Sequence, residues 1–186
     1  MSRLEEILAY NREFVNNKGY EPFIAGKYPK KELLVVTCMD TRLVELLPKA
    51  LNLKNGDAKV VKTAGALVTE PYGSVMRSIL VGVTLLKAKE IFVIGHKGCG
   101  MEGLEAESVL EHLERHGVAG KQIEAVREQG VDLHKWLAGC SHVEEGVMNS
   151  IQLIQNHPLL PPDILVHGLI IDPETGEIEL IHDGRK

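Results

Sequence analysis

Read from the N-terminus, the apolar positions first fall at helical spacing. Leu4, Ile7, Leu8, Phe14 and Val15 lie on one side of a predicted helix. Ser2, with Glu5 three positions later, forms a capping box that starts it. Residues 22–29, bounded by two prolines, read as loop. The pattern then changes. Residues 33–37 are a continuous β-rich apolar run, the signature of a strand covered on both faces. A helix is predicted over 43–51, a second strand over 58–62, and a loop over 63–73 that contains Ala64-Gly65-Ala66. A strongly apolar helix follows over 74–86, then a third strand over 91–95. Residues 102–156 are mostly helical, with interruptions near Gly117, Gly130 and Gly139, and Ser141 with Glu144 offers a capping box for the last helix. A fourth strand over 164–171, a turn at 172–176 and alternating polarity over 177–181 predict a closing hairpin.

Strands separated by helical segments predict an α/β fold. The expected architecture is a central, mostly parallel sheet of about five strands flanked by helices, ending in an antiparallel hairpin. No repeat, low-complexity tract or long linker divides the chain, so residues 1–186 are expected to form one domain, with 1–30 as an N-terminal helix and arm. Composition narrows the function. Hydrophobic residues at 44% and charged residues at 25% specify a globular chain. A net charge of −5 and 4% aromatic residues speak against nucleic acid as partner and for a small substrate. No apolar run has the length of a membrane span, and the N-terminus lacks a signal-peptide pattern, so the cytoplasm is the expected compartment. Three cysteines in a reducing compartment point to metal binding or catalysis rather than cross-linking.

The chemistry gathers at two strand ends. Cys38 follows the first strand, and His96 and Cys99 follow the third. Ligands in open α/β sheets collect at those ends, so the three can meet if the first and third strands are neighbours. Two thiolates and an imidazole suit zinc and leave a fourth position open. Asp40 and Arg42 stand beside Cys38. Taken singly, Asp40 reads equally as a helix N-cap and Arg42 as a solvated first-turn residue. Cys140 reads as an ordinary thiol, His112 and His116 as a solvated i, i+4 pair, and Trp136 as a packing or interface residue.

Cys38-Met39-Asp40-Thr41-Arg42 and Gly95-His96-Lys97-Gly98-Cys99-Gly100-Met101 together resemble the two metal-binding signatures of the β-carbonic anhydrases, in their small prokaryotic branch. The Ala64-Gly65 loop, the helix from Ser74, and His167-Gly168-Leu169 with the turn after it fall in the same order as in that family. The resemblance implies reversible hydration of carbon dioxide to bicarbonate. It implies one Zn2+ per subunit on Cys38, His96 and Cys99, with Asp40 a conditional fourth ligand in place of water. Asp40 and Arg42 are the expected catalytic dyad, and Gly65 and Gly100 the expected substrate-binding positions. It further implies a homodimer or a dimer of dimers, the N-terminal helix packing on the partner subunit. Two thiolates cancel the ion's charge, so help from Asp40 and higher activity at alkaline pH are expected. Thr63, where many relatives carry Asn, and Lys97-Gly98, in place of a more usual polar pair, depart from the pattern at the pocket rim. Competing readings are a zinc protein without catalysis, a hydrolase of carbonyl sulfide or carbon disulfide, and a thiol phosphatase or sulfurtransferase using Cys38. The last normally has a longer loop between Cys and Arg.

Overall fold

The computed structural model describes residues 1–185. In chain order its elements are α1 (Arg3–Asn16), β1 (Leu33–Cys38), α2 (Leu43–Ala50), β2 (Ala58–Thr63), α3 (Ser74–Thr84), β3 (Glu90–His96), α4 (Ala106–Arg115), α5 (Gly120–Glu128), α6 (Leu133–Leu137), α7 (Val143–Gln155), β4 (Leu165–Ile171) and β5 (Ile178–His182). The expected α/β architecture is present: five strands in the order β2-β1-β3-β4-β5, all neighbours parallel except the final β4-β5 pair.

That order contains the feature that positions a site. The chain leaves β1 to one side to make β2, then crosses back to place β3 on the other side of β1. Connections therefore diverge beyond the C-terminal ends of β1 and β3, which opens a crevice there. Cys38 is the last residue of β1 and His96 the last of β3.

The middle of the sheet is apolar on both faces. Leu34, Val35, Val36, Ile91, Val93, Ile94, Val166 and Ile171 are buried. Close approach of α7 depends on missing side chains. A Cβ on Gly95 would lie 2.7 Å from Val143, and one on Gly168 would lie 2.6 Å from Ile151. Helix α7 thus sits directly over the strands that lead to His96.

The long helical stretch resolves into α4 to α7, broken where the sequence breaks. Gly117 and Gly130 adopt φ of 93° and 84° just after α4 and α5, the left-handed stop that glycine accepts without strain. Ser2 and Glu5 form the expected reciprocal cap of α1. The second cap is a correction: Ser141 and Glu144 do not make a capping box. Backbone at Cys140 is pinned to the preceding loop, its N–H donating to Met101 O (3.0 Å) and its carbonyl accepting from Gly103 N–H (2.7 Å). Helix α7 accordingly starts late, with His142 at the N-cap and no side-chain cap bond. Helix α1 buries none of its residues, and Leu4, Ile7 and Leu8 are exposed.

Candidate metal centre

The end of β1 and the loop after β3 bring three buried ligand atoms together. The Sγ atoms of Cys38 and Cys99 and a ring nitrogen of His96 all lie within 4.8 Å of one another. The loop achieves this by turning sharply at Gly98, whose φ of 63° suits glycine and returns Cys99 toward the end of the strand. The two sulfurs are 4.0 Å apart. Two thiolates at about 2.3 Å from a tetrahedral zinc would stand about 3.8 Å apart, so little adjustment is needed.

Polar satisfaction of the histidine independently fits a metal. His96 Nδ1 lies 3.0 Å from the Lys97 carbonyl oxygen and donates to it, which leaves the Nε2 lone pair free. That Nε2 is buried and has no hydrogen-bond partner. A buried polar atom left unpaired is costly, and a cation between it and the two sulfurs resolves the cost. Burial pushes the Cys99 thiol above its ordinary pKa, the neighbouring Cys38 adding to the rise. A bound metal must therefore displace protons from this pair.

Asp40 and Arg42 do form the expected pair. Arg42 Nη2 donates to Asp40 Oδ2 (2.8 Å), Nε to Oδ1 (3.0 Å), and the Arg42 backbone N–H also to Oδ1 (2.8 Å). These bonds, the side-chain ones foremost, hold the Asp40 carboxyl far below the usual carboxylate range. Asp40 Oδ2 still reaches to 3.7 Å from His96 Nε2, so the carboxylate borders the ligand cluster without belonging to it. Arg42 Nη2 is steadied from the other side by the Gly98 carbonyl at 3.5 Å. The N-cap position of α2 is Arg42, and it has no side-chain cap bond.

The two glycines differ. Gly65 is buried with a φ of 70°, and a Cβ there would meet Met101 at 2.9 Å, so packing against the metal loop already requires glycine. At Gly100 a Cβ would meet nothing within 4 Å, so packing within the chain makes no demand for glycine there. Lys97 turns away from the ligands. Its N–H donates to Ile171 O (3.0 Å) and its Nζ lies 3.8 Å from Asp172, tying the loop to the β4-β5 turn. Sequence reasoning missed that tie, because Lys97 and Asp172 are far apart in the chain. Cys140 stands apart from the cluster, its Sγ 3.8 Å from the Met101 carbonyl. His112 and His116 each turn Nδ1 onto a carbonyl of their own helix, and Trp136 is exposed.

Comparison with known proteins agrees with this geometry. Residues 33–178 match the family described as carbonic anhydrase. The chain is 52% identical over 184 residues to the Bacillus subtilis (strain 168) protein named "Putative carbonic anhydrase YvdA", covering 99% of this chain and 93% of that one. It is 28% identical over 161 residues to a carbon disulfide hydrolase of Acidithiobacillus thiooxidans, covering 82% and 78% of the two chains. Among solved structures, the β-carbonic anhydrase isoform I (TvaCA1) of Trichomonas vaginalis superposes with a TM-score of 0.90 at 34% identity, covering 99% of this chain and 100% of that one.

Proposed function

The chain belongs to the β-carbonic anhydrase family, and from that premise we propose that it is a zinc enzyme catalysing the reversible hydration of carbon dioxide to bicarbonate and a proton. The observation that carries this reading is the buried Cys38, His96 and Cys99 cluster with an ionised, clamped carboxylate at its edge. Zinc held by these three residues supplies Lewis acidity that makes water reactive toward carbon dioxide.

The chain's own residues supply the rest. Asp40 is kept anionic by Arg42 and is therefore acceptor-only, able to take a hydrogen bond from a water beside the cluster and to orient it. Held by Arg42, Asp40 would face a water beside the cluster, while Cys38, His96 and Cys99 would hold the ion. Main-chain groups around Gly65 and Gly100 are the proposed wall for carbon dioxide and bicarbonate. We assign the chain a homodimer, or a dimer of dimers, in the cytoplasm; among the described residues no helix is long and apolar enough to cross a membrane.

The relative that hydrolyses carbon disulfide supports a second reading, because that substrate is linear like carbon dioxide. Stopped-flow hydration of carbon dioxide, with zinc measured in the same sample and carbon disulfide as alternative substrate, separates the two. We expect one zinc per chain, hydration that rises toward alkaline pH, and loss of that activity on chelation. Zinc-loaded protein that turns over carbon disulfide alone, or neither substrate, overturns the proposal.

A further inference from the structure

Among the described residues, three buried side-chain polar atoms have no hydrogen-bond partner: His96 Nε2, His167 Nε2 and Thr63 Oγ1. The first is answered by the metal that the ligand cluster fits. The second, on β4, has the Glu90 carboxylate 3.9 Å away. Thr63 Oγ1 has no such answer in its own surroundings, and an unpaired buried hydroxyl is disfavoured unless something in the working protein engages it.

Its position names the partner. Thr63 ends β2 and is the register partner of Cys38 at the end of β1, and the Met39 N–H donates to the Thr63 carbonyl (2.9 Å). Residues paired in register point to the same face of a sheet, on strands about 4.8 Å apart. The hydroxyl therefore lies on the Cys38 side of the sheet, one strand outward. The hydrogen-bond neighbour of Cys38 Sγ is Cys99 Sγ, 4.0 Å away. Once both are thiolates, that neighbour offers no proton.

We propose that Thr63 is a positioning residue for the metal centre, its hydroxyl donating a hydrogen bond to the Cys38 thiolate when zinc is held. The inference rests on the zinc reading above. It gives the Cys38 thiolate a hydroxyl donor in place of the proton that Cys99 no longer offers. Such a bond draws electron density off the sulfur and orients it, the usual service of groups placed behind metal ligands.

The test compares Thr63→Val, which keeps the shape and removes the donor, with Thr63→Ser, which keeps the donor. Zinc affinity is read by competition with a chromophoric chelator, and the cobalt-substituted protein reports the sulfur-to-cobalt charge-transfer band. We expect Thr63→Val to bind zinc about 10- to 100-fold more weakly and to move the band to lower energy, with Thr63→Ser restoring both. Metal-free Thr63→Val should unfold at the same or a higher urea concentration, because the hydroxyl has no partner to lose. Wild-type affinity and an unmoved band in Thr63→Val, or a metal-free Thr63→Val protein that is itself destabilised, overturn the proposal. Wild-type protein that takes up no zinc overturns the functional reading beneath it, a different result from indifference to the substitution.

Discussion

Arg42 grips Asp40 at both carboxylate oxygens and adds its own backbone N–H, three bonds spanning only two residues of chain. So short a loop makes the grip local and cheap in entropy. Because the folded-state pKa of Asp40 lies below its unfolded value, the pair contributes stability above about pH 3.9, the ordinary aspartate value, and loses it as pH falls through the depressed value. We predict that Arg42→Ala leaves zinc content unchanged and lowers carbon dioxide hydration about 10- to 100-fold, the range for groups that orient a metal site. In the same variant the Asp40 carboxyl carbon, followed by NMR, should titrate in the ordinary carboxylate range. Near-normal turnover with unaltered Asp40 titration would refute the dyad. Both residues were legible from the sequence as a pair flanking a thiol. How closely the carboxylate borders the Cys38, His96 and Cys99 cluster was not, because that distance depends on β3 lying beside β1.

Helix α7 shows how an element far from the ligands constrains them. It lies against β3 and β4 at Gly95 and Gly168, where each added methyl would meet its side chains at under 3 Å. Gly95 directly precedes His96 in β3. Gly95→Ala must push α7 away or bend β3, and overpacking of this kind costs roughly 1–3 kcal/mol. Urea denaturation should register that loss, while Gly100→Ala, with open space around it, should unfold like wild type; equal midpoints for all three proteins would contradict the packing account. The same element marks where local sequence signals failed. Ser141 and Glu144 have the spacing of a cap, yet Cys140 is held by Met101 and Gly103, and the helix could not begin where the motif asked. The equivalent motif at Ser2 succeeded because nothing competes for the backbone there.

Taken whole, the chain has an apolar arm that the described residues leave mostly exposed. Helix α1 has 14 residues, none buried, and isolated helices of that length are marginal in water. The exposure of Leu4, Ile7 and Leu8 is 65%, 59% and 48%, which is hard to reconcile with a stable solvated helix and fits the proposed dimer, in which a second copy receives it. Size-exclusion chromatography with light scattering should give at least a dimer for the natural chain, and a lighter species with less helix for the triple variant L4S/I7S/L8S. A variant that keeps both mass and helicity would show that the arm is not an assembly element. By itself the sequence determined what short-range chemistry controls: the order of strands and helices, the glycine stops at 117 and 130, and the identities of Cys38, Asp40, Arg42, His96 and Cys99. Tertiary structure alone decided which strands lie side by side. Setting β3 against β1 rather than β2 carries His96 and Cys99 to Cys38, while Thr63, the register partner of Cys38 on β2, keeps a buried hydroxyl with no partner. The physical reason is that periodicity and capping act over a few residues, whereas strand pairing is chosen by burial of the whole sheet between its helices, a property that no local segment contains.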